Sequence, residues 1–272
     1  MHVWLKLDFW PFILEVCFTK THLTMAKQTS IITLKGRVGR LSFYKTRDGY
    51  LAREKGGVEK SRIMNDPRYA RTRENMREFA DNANSTKLVK DALRTVTTKV
   101  SDQRLGLRLN QRLMKVLKSD EISIRGERKV KNGNWDLLGG MELNIRASLT
   151  KTLLFQIQPV DSAATWEIQI PAFLPTNEIA YPVEAQGFKI TATGVGLDFD
   201  ANSRSIQTSA TPILPVSVPM EATVLSIDKS QLSGTHFLFV LSVEFYLNVN
   251  QEDYHLNNGD YNAGQILGVS KT

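Results

Sequence analysis

The hydrophobic period of this chain changes once, near Glu121, and that change limits what it can fold into. Upstream, apolar residues recur at helical spacing; downstream, they alternate as strands with one buried face do. Helices followed by strands without further helices predict an α+β protein: a small N-terminal β-meander plus a helical bundle, then an antiparallel β-sandwich. The implied division is residues 1–24, 25–120 and 121–272.

Within the first half, Ser30–Leu34, Leu41–Lys45 and Tyr50–Glu54 read as strands of the meander, with Lys35–Gly39 as a tight turn. The Asp48-Gly49 pair marks a hairpin, because glycine takes positive φ at no steric cost. Asp66-Pro67 is a helix start: an acceptor at the N-cap precedes a proline whose missing N–H costs nothing there. Tyr69, Met76, Phe79, Ala80 and Ala83 share one face of that helix, and Asn82–Ser85 is expected to end it. A second helix follows from Thr86 to Val100, with Leu88, Ala92, Leu93, Val96 and Val100 inward. A third runs from a cap at Ser101 or Asp102 to about Lys118, with Leu105, Leu109, Leu113, Val116 and Leu117 inward.

Strand candidates then run through Ile122–Ile124, Glu142–Ile145, Leu153–Ile157, Trp166–Ile170, Phe188–Thr193, Ser205–Thr208, Ala222–Ile227 and Phe237–Val249. Proline-rich Thr211–Pro219 reads as a crossover between sheets, since proline cannot donate to a central ladder.

Charge is uneven. Net charge is zero over residues 1–24, +14 over 25–150 and −7 over 151–272. Such an asymmetry points to different partners for the two halves, or to attraction between copies. Residues 1–24 are apolar, but Lys6, Asp8, Pro11 and Glu15 interrupt every run, so no stretch approaches the roughly 20 residues of a membrane span. They read as an upstream extension of a protein starting at Met25; the residues name no compartment, and cytoplasm or virion is expected ahead of a membrane.

Catalytic chemistry finds little to work with. Downstream of Met25 the only histidines are His236 and His255, and no cysteine follows Cys17. Gly194-Val-Gly196 lacks the third glycine and the helix of a dinucleotide fingerprint and reads as a bend in a strand. Asp198 and Asp200, and Glu252, Asp253 and Asp260, offer hard oxygen ligands without a calcium-loop spacing and read as turns. The expectation is a non-enzymatic protein with no cofactor, metal or catalytic residue, whose partners are itself, other proteins or nucleic acid.

The strongest residue-level feature is basic. Arg104, Arg108, Arg112, Lys115 and Lys118 fall on one side of the third helix with no acid between Gln103 and Ser119. Like charges four residues apart repel, so helix stability alone does not favour the row. With Arg125, Arg128, Lys129 and Lys131 in the following loop, it is a candidate surface for phosphates or for an acidic protein face.

Lys35-Gly36-Arg37-Val38-Gly39, Phe43-Tyr44-Lys45, Asp48 to Val58, Asn65-Asp66-Pro67 and Arg71-Thr72-Arg73-Glu74-Asn75 together resemble a family of uncharacterised Bacteroidota proteins. The resemblance covers about residues 25–130, with a weaker echo at Phe245-Tyr246 and Asn258 to Asn262. It implies a setting in prophage or mobile-element regions and brings no activity and no catalytic residues. Where that family carries glycine after Arg-Thr-Arg-Glu-Asn, this chain has Met76.

Overall fold

A computed structural model of the chain describes residues 25–29, 32–54, 56–256 and 260–271. These form two compact units, one ending at Asn65 and one beginning at Asp66. The expected upstream extension, residues 1–24, lies outside the described residues.

The first unit is a four-stranded antiparallel sheet in the order β1-β4-β3-β2, from β1 (Met25–Lys27), β2 (Gly36–Val38), β3 (Leu41–Thr46) and β4 (Gly49–Glu54). A short helix, α1 (Lys60–Asn65), follows. Two expectations are corrected here. The first strand is Met25–Lys27, with Ile32–Leu34 outside any strand, and Lys35–Gly39 contains β2 where a tight turn was expected. The hairpin at Asp48-Gly49 forms, with Gly49 at φ 114°. None of this unit's residues with a described side chain is buried.

The second unit begins as the sequence suggests: the Asp66 side chain accepts from the Arg68 amide at 3.0 Å ahead of a single 3-10 turn at Pro67–Tyr69. The helix after it, α2 (Ala70–Ala92), does not stop at Asn82–Ser85. Those polar residues continue it because the fold uses them: Asn82 and Ser85 are buried, and the Asn82 amide donates to the Asn110 carbonyl at 3.2 Å. After a kink at Leu93 come α3 (Arg94–Val100) and α4 (Leu105–Lys118). The ten residues expected inward on the second and third helices are all buried.

Strands follow α5 (Leu149–Thr152). They are β5 (Gln158–Asp161), β6 (Thr165–Ile170), then after α6 (Pro175–Glu178) β7 (Gly187–Asp198), β8 (Ser203–Ala210), β9 (Leu214–Pro215), β10 (Thr223–Asp228), β11 (His236–Val249), β12 (Glu252–His255) and β13 (Ala263–Lys271). A large antiparallel sheet runs β12-β11-β7-β8, with β13 beside β11 and β9 beside β7. A small one runs β10-β6-β5. The fold is α+β with a sandwich-like arrangement of sheets.

Strand β11 sets the layering. Phe237, Phe239, Leu241, Val243 and Phe245 point into a core with Trp166, Ile168, Leu225 and Ile227 of the small sheet. Leu238 and Val240 point the other way, into a core with Leu88, Val96, Leu109, Leu113 and Leu117 of the helices. A strand buried on both faces reads as a continuous apolar run, as β11 does. The period change near Glu121 therefore marks a change of layer within one unit, since helices and sheet share a core.

Three expected strands do not form as such. Ile122–Ile124 is a turn, because the Asp120 carboxylate takes the amides of Ile122 and Ser123 at 2.9 and 3.1 Å. Glu142–Ile145 and Leu153–Ile157 each make one isolated bridge, Glu142 to Gln265 and Leu153 to Ile179. Gly194 and Gly196 lie inside β7, and a Cβ on Gly196 would sit 2.2 Å from the Ser233 carbonyl oxygen.

Candidate binding surfaces

The nine basic residues marked in the sequence all lie in the second unit, and the fold divides them. Arg108 is drawn inward: its guanidinium pairs with Asp102 at 2.5 Å and donates to the carbonyls of Glu142 and Leu143 at 3.0 and 3.1 Å. Burial would raise the Asp102 carboxyl, but the amides of Ile145 and Arg104 and the Arg108 guanidinium outweigh it and hold it below its ordinary value. Arg108 thus ties the 142–145 segment to α4.

Arg128 is also internal. It makes a two-pronged bond to Glu78, at 2.8 and 3.0 Å, and Glu78 is 5% exposed and also accepts from the Gly126 amide at 2.8 Å. Burial works to raise the Glu78 carboxyl; the guanidinium and the amide reverse that and lower it. Arg125 lies 3.5 Å from Glu74 and donates to Asn75. Lys131 holds both Asp200 oxygens, at 2.6 and 2.8 Å, while its carbonyl accepts from His236 Nε2 at 2.8 Å. Burial pushes that imidazole below its usual value, and Trp135 and Phe199 flank it.

Arg104, Arg112, Lys115, Lys118 and Lys129 remain exposed. Arg112 makes one bond, 3.3 Å to the Leu137 carbonyl. The side chains of Arg104, Lys115, Lys118 and Lys129 have no hydrogen-bond or ion-pair partner among the described residues. The Lys129 amide closes a different network, donating to Asp120 at 3.0 Å. Burial would raise that carboxyl, yet the bonds from Lys129, Ser123 and Ile122 lower it to about 2.

Two further places could carry chemistry. A cleft of about 480 Å³ beside α2 is lined by acidic Asp81, Asp91 and Asp200 and by basic Lys87, Lys129 and Arg204 among others. At the far end of β11, Glu244 is 2% exposed and lies 3.2 Å from Lys99, receives the Tyr246 hydroxyl at 2.8 Å and lies 3.7 Å from His255. Burial, and then that carboxylate, push the Tyr246 phenol well above its ordinary range. His255 stands on β12, paired with Tyr246. Each member of this cluster is partnered within it, as in a structural network. Among the described residues no group of three or more His, Cys, Asp or Glu is placed to hold a metal ion. Asp198 accepts the Asp200 and Ala201 amides at 2.9 Å, closing a turn.

The first helix supplies an unforeseen surface. Its expected core face does not enter the core: Phe79 is 62% exposed and Met76 46%, and Ala80 and Ala83 are exposed beside them. The buried face of α2 is Glu78, Asn82, Ser85, Thr86, Leu88, Val89 and Ala92. Glu78 turns inward because Arg128 meets it there, which leaves the apolar stripe outside. No helix among the described residues is long and apolar enough to cross a membrane.

No family model, no curated protein and no solved structure matches this chain.

Proposed function

We propose that this chain is a non-enzymatic structural or assembly protein that acts in the cytoplasm or on a virion through contacts between copies of itself. The observation that carries the reading is the α2 stripe: Met76, Phe79, Ala80 and Ala83 repeat at core spacing and stand in solvent. An apolar stripe of this kind marks an interaction surface. Its order suits a second copy. Large side chains lie toward the helix start and alanines further on, so an antiparallel two-fold pairing sets Met76 of one copy against Ala83 of the other and Phe79 against Ala80. The resemblance of residues 25–130 to proteins of prophage and mobile-element regions agrees with an assembly role.

Sedimentation equilibrium of the full chain is the test. The parent is expected to associate with rising concentration, and the double variant Met76→Ser, Phe79→Ser to remain monomeric with unchanged thermal stability. A parent that stays monomeric, or a variant that associates as the parent does, overturns the reading. A variant that melts well below the parent when both are dilute enough to be monomeric also overturns it, because the stripe would then be covered within the chain.

A further inference from the structure

The meander of the first unit has two unlike faces. Strand register places Val38, Leu41, Phe43, Tyr50 and Ala52 on one of them, with Lys45 and Glu54 at its ends. On the other lie Arg37, Ser42 and Arg53 in one cross-strand row and Tyr44, Leu51 and Lys27 in the next. Neighbouring strands stand about 4.8 Å apart, so Arg37 and Arg53 flank Ser42 at roughly twice that spacing. The Arg53 guanidinium lies 5.5 Å from the centre of the Tyr44 ring. Lys27, Arg37 and Arg53 are all exposed.

No acid among the described residues shares that face. Asp48 is in the hairpin turn, Glu54 is on the opposite face paired with Arg40 at 3.2 Å, and Glu59 lies beyond the strands. Between Met25 and Asn65 ten lysines and arginines stand against three acids, a net of +7. Cations that close, with no counter-charge among the described residues of the sheet, raise the free energy of the folded sheet unless something else answers them.

We propose that this face binds single-stranded nucleic acid, with Lys27, Arg37 and Arg53 on successive phosphates and one base stacked on Tyr44. A half-buried aromatic ring beside exposed cations on one sheet face suits a chain that offers both bases and phosphates, and arginine fits phosphate in two-pronged geometry. The acidic residues of a second copy are the weaker candidate, because the fold already employs many of them. Asp161 pairs with Lys229, Asp200 with Lys131 and Asp260 with Arg146, and Asp228 caps a turn.

Fluorescence anisotropy of a labelled oligothymidylate titrated with the full chain at low salt tests the proposal. The parent is expected to bind. Replacing Lys27, Arg37 and Arg53 together by Gln should weaken binding by about tenfold or more. Tyr44→Ala alone should weaken it roughly fivefold to a hundredfold, while Tyr44→Phe, which keeps the ring, should bind as the parent does. Circular dichroism of each variant confirms that the sheet persists. A double Arg37→Lys, Arg53→Lys variant controls for folding, since it keeps the charge and should retain most of the affinity. A parent that does not bind, a triple-Gln variant that binds equally well, or a parent that binds poly-glutamate as tightly as the oligonucleotide would each overturn it.

Discussion

The two units use the same residue types in opposite ways. From Asp66 onward several cations serve the fold: Arg128 neutralises the buried Glu78, Arg108 holds Asp102 and two carbonyls, and Lys131 pairs with Asp200, while Arg104, Lys115, Lys118 and Lys129 stay exposed. Residues 25–65 carry a net of +7, and the strands of the meander bury none of their described side chains. Part of the charge in the larger unit is therefore structural material, whereas Lys27, Arg37 and Arg53 of the smaller one meet no acid among the described residues. A basic residue count alone could not tell these apart; the position of each acid does.

The contrast can be broken most sharply at Glu78. Arg128→Ala leaves that carboxylate buried and unpaired, and about 3–5 kcal/mol of unfolding free energy should be lost, read from urea melts. A loss near that of an exposed pair would mean Arg128 is as dispensable as the meander cations. Next in size, Leu238→Ala removes a side chain buried where the helices meet the large sheet, at an expected cost of about 2–5 kcal/mol. Helix and strand signals should shift together in that variant, because both layers lean on the same residue.

Acid should expose a third difference. The Asp120 carboxyl is lowered from 3.8 to about 2 in the folded state. A depressed carboxyl contributes stability that is present above the unfolded value and is lost as pH falls from about 3.8 toward 2. The contribution at neutral pH is about 2 kcal/mol, so Asp120→Asn should lower stability there and flatten the acid limb of the stability profile. At the small end, Arg37→Gln with Arg53→Gln should change stability by less than about 0.5 kcal/mol, since both side chains are exposed and Arg53 gives up only its place over the Tyr44 ring.

How much of this was legible in the residues follows from the same contrast. Apolar spacing located the inward faces of the second and third helices, and Trp166–Ile170 and Phe237–Val249 fell within real strands. Spacing failed where a polar side chain decided the outcome. On α2 the pairing of Glu78 with Arg128, fifty residues away, turned the helix so that Met76 and Phe79 face out. At Ile122–Ile124 the Asp120 carboxylate took the amides a strand would need. Strand β13 was missed because Gly264 and Gly268 interrupt its pattern; Gly264 is small because a Cβ would meet Val100 at 2.9 Å. The row on α4 was visible, but the loss of Arg108 to Asp102 depends on a contact six residues back that charge counting ignores. The meander's basic face was not legible, because Lys27 and Arg37 lie on β1 and β2, which the sequence did not mark as strands; alternation placed only Arg53 of β4.

The salt dependence of oligonucleotide binding separates the two units most directly. Each phosphate contact on a single strand contributes about 0.7 to the slope of log affinity against log salt. Replacing Lys27, Arg37 and Arg53 by Gln should flatten that slope by about 2, the sum of three such contacts. Replacing Arg104, Arg112 and Lys115 on α4 by Gln should leave it unchanged. A slope that falls with the α4 variant and holds with the meander variant would contradict the division of roles between the two units.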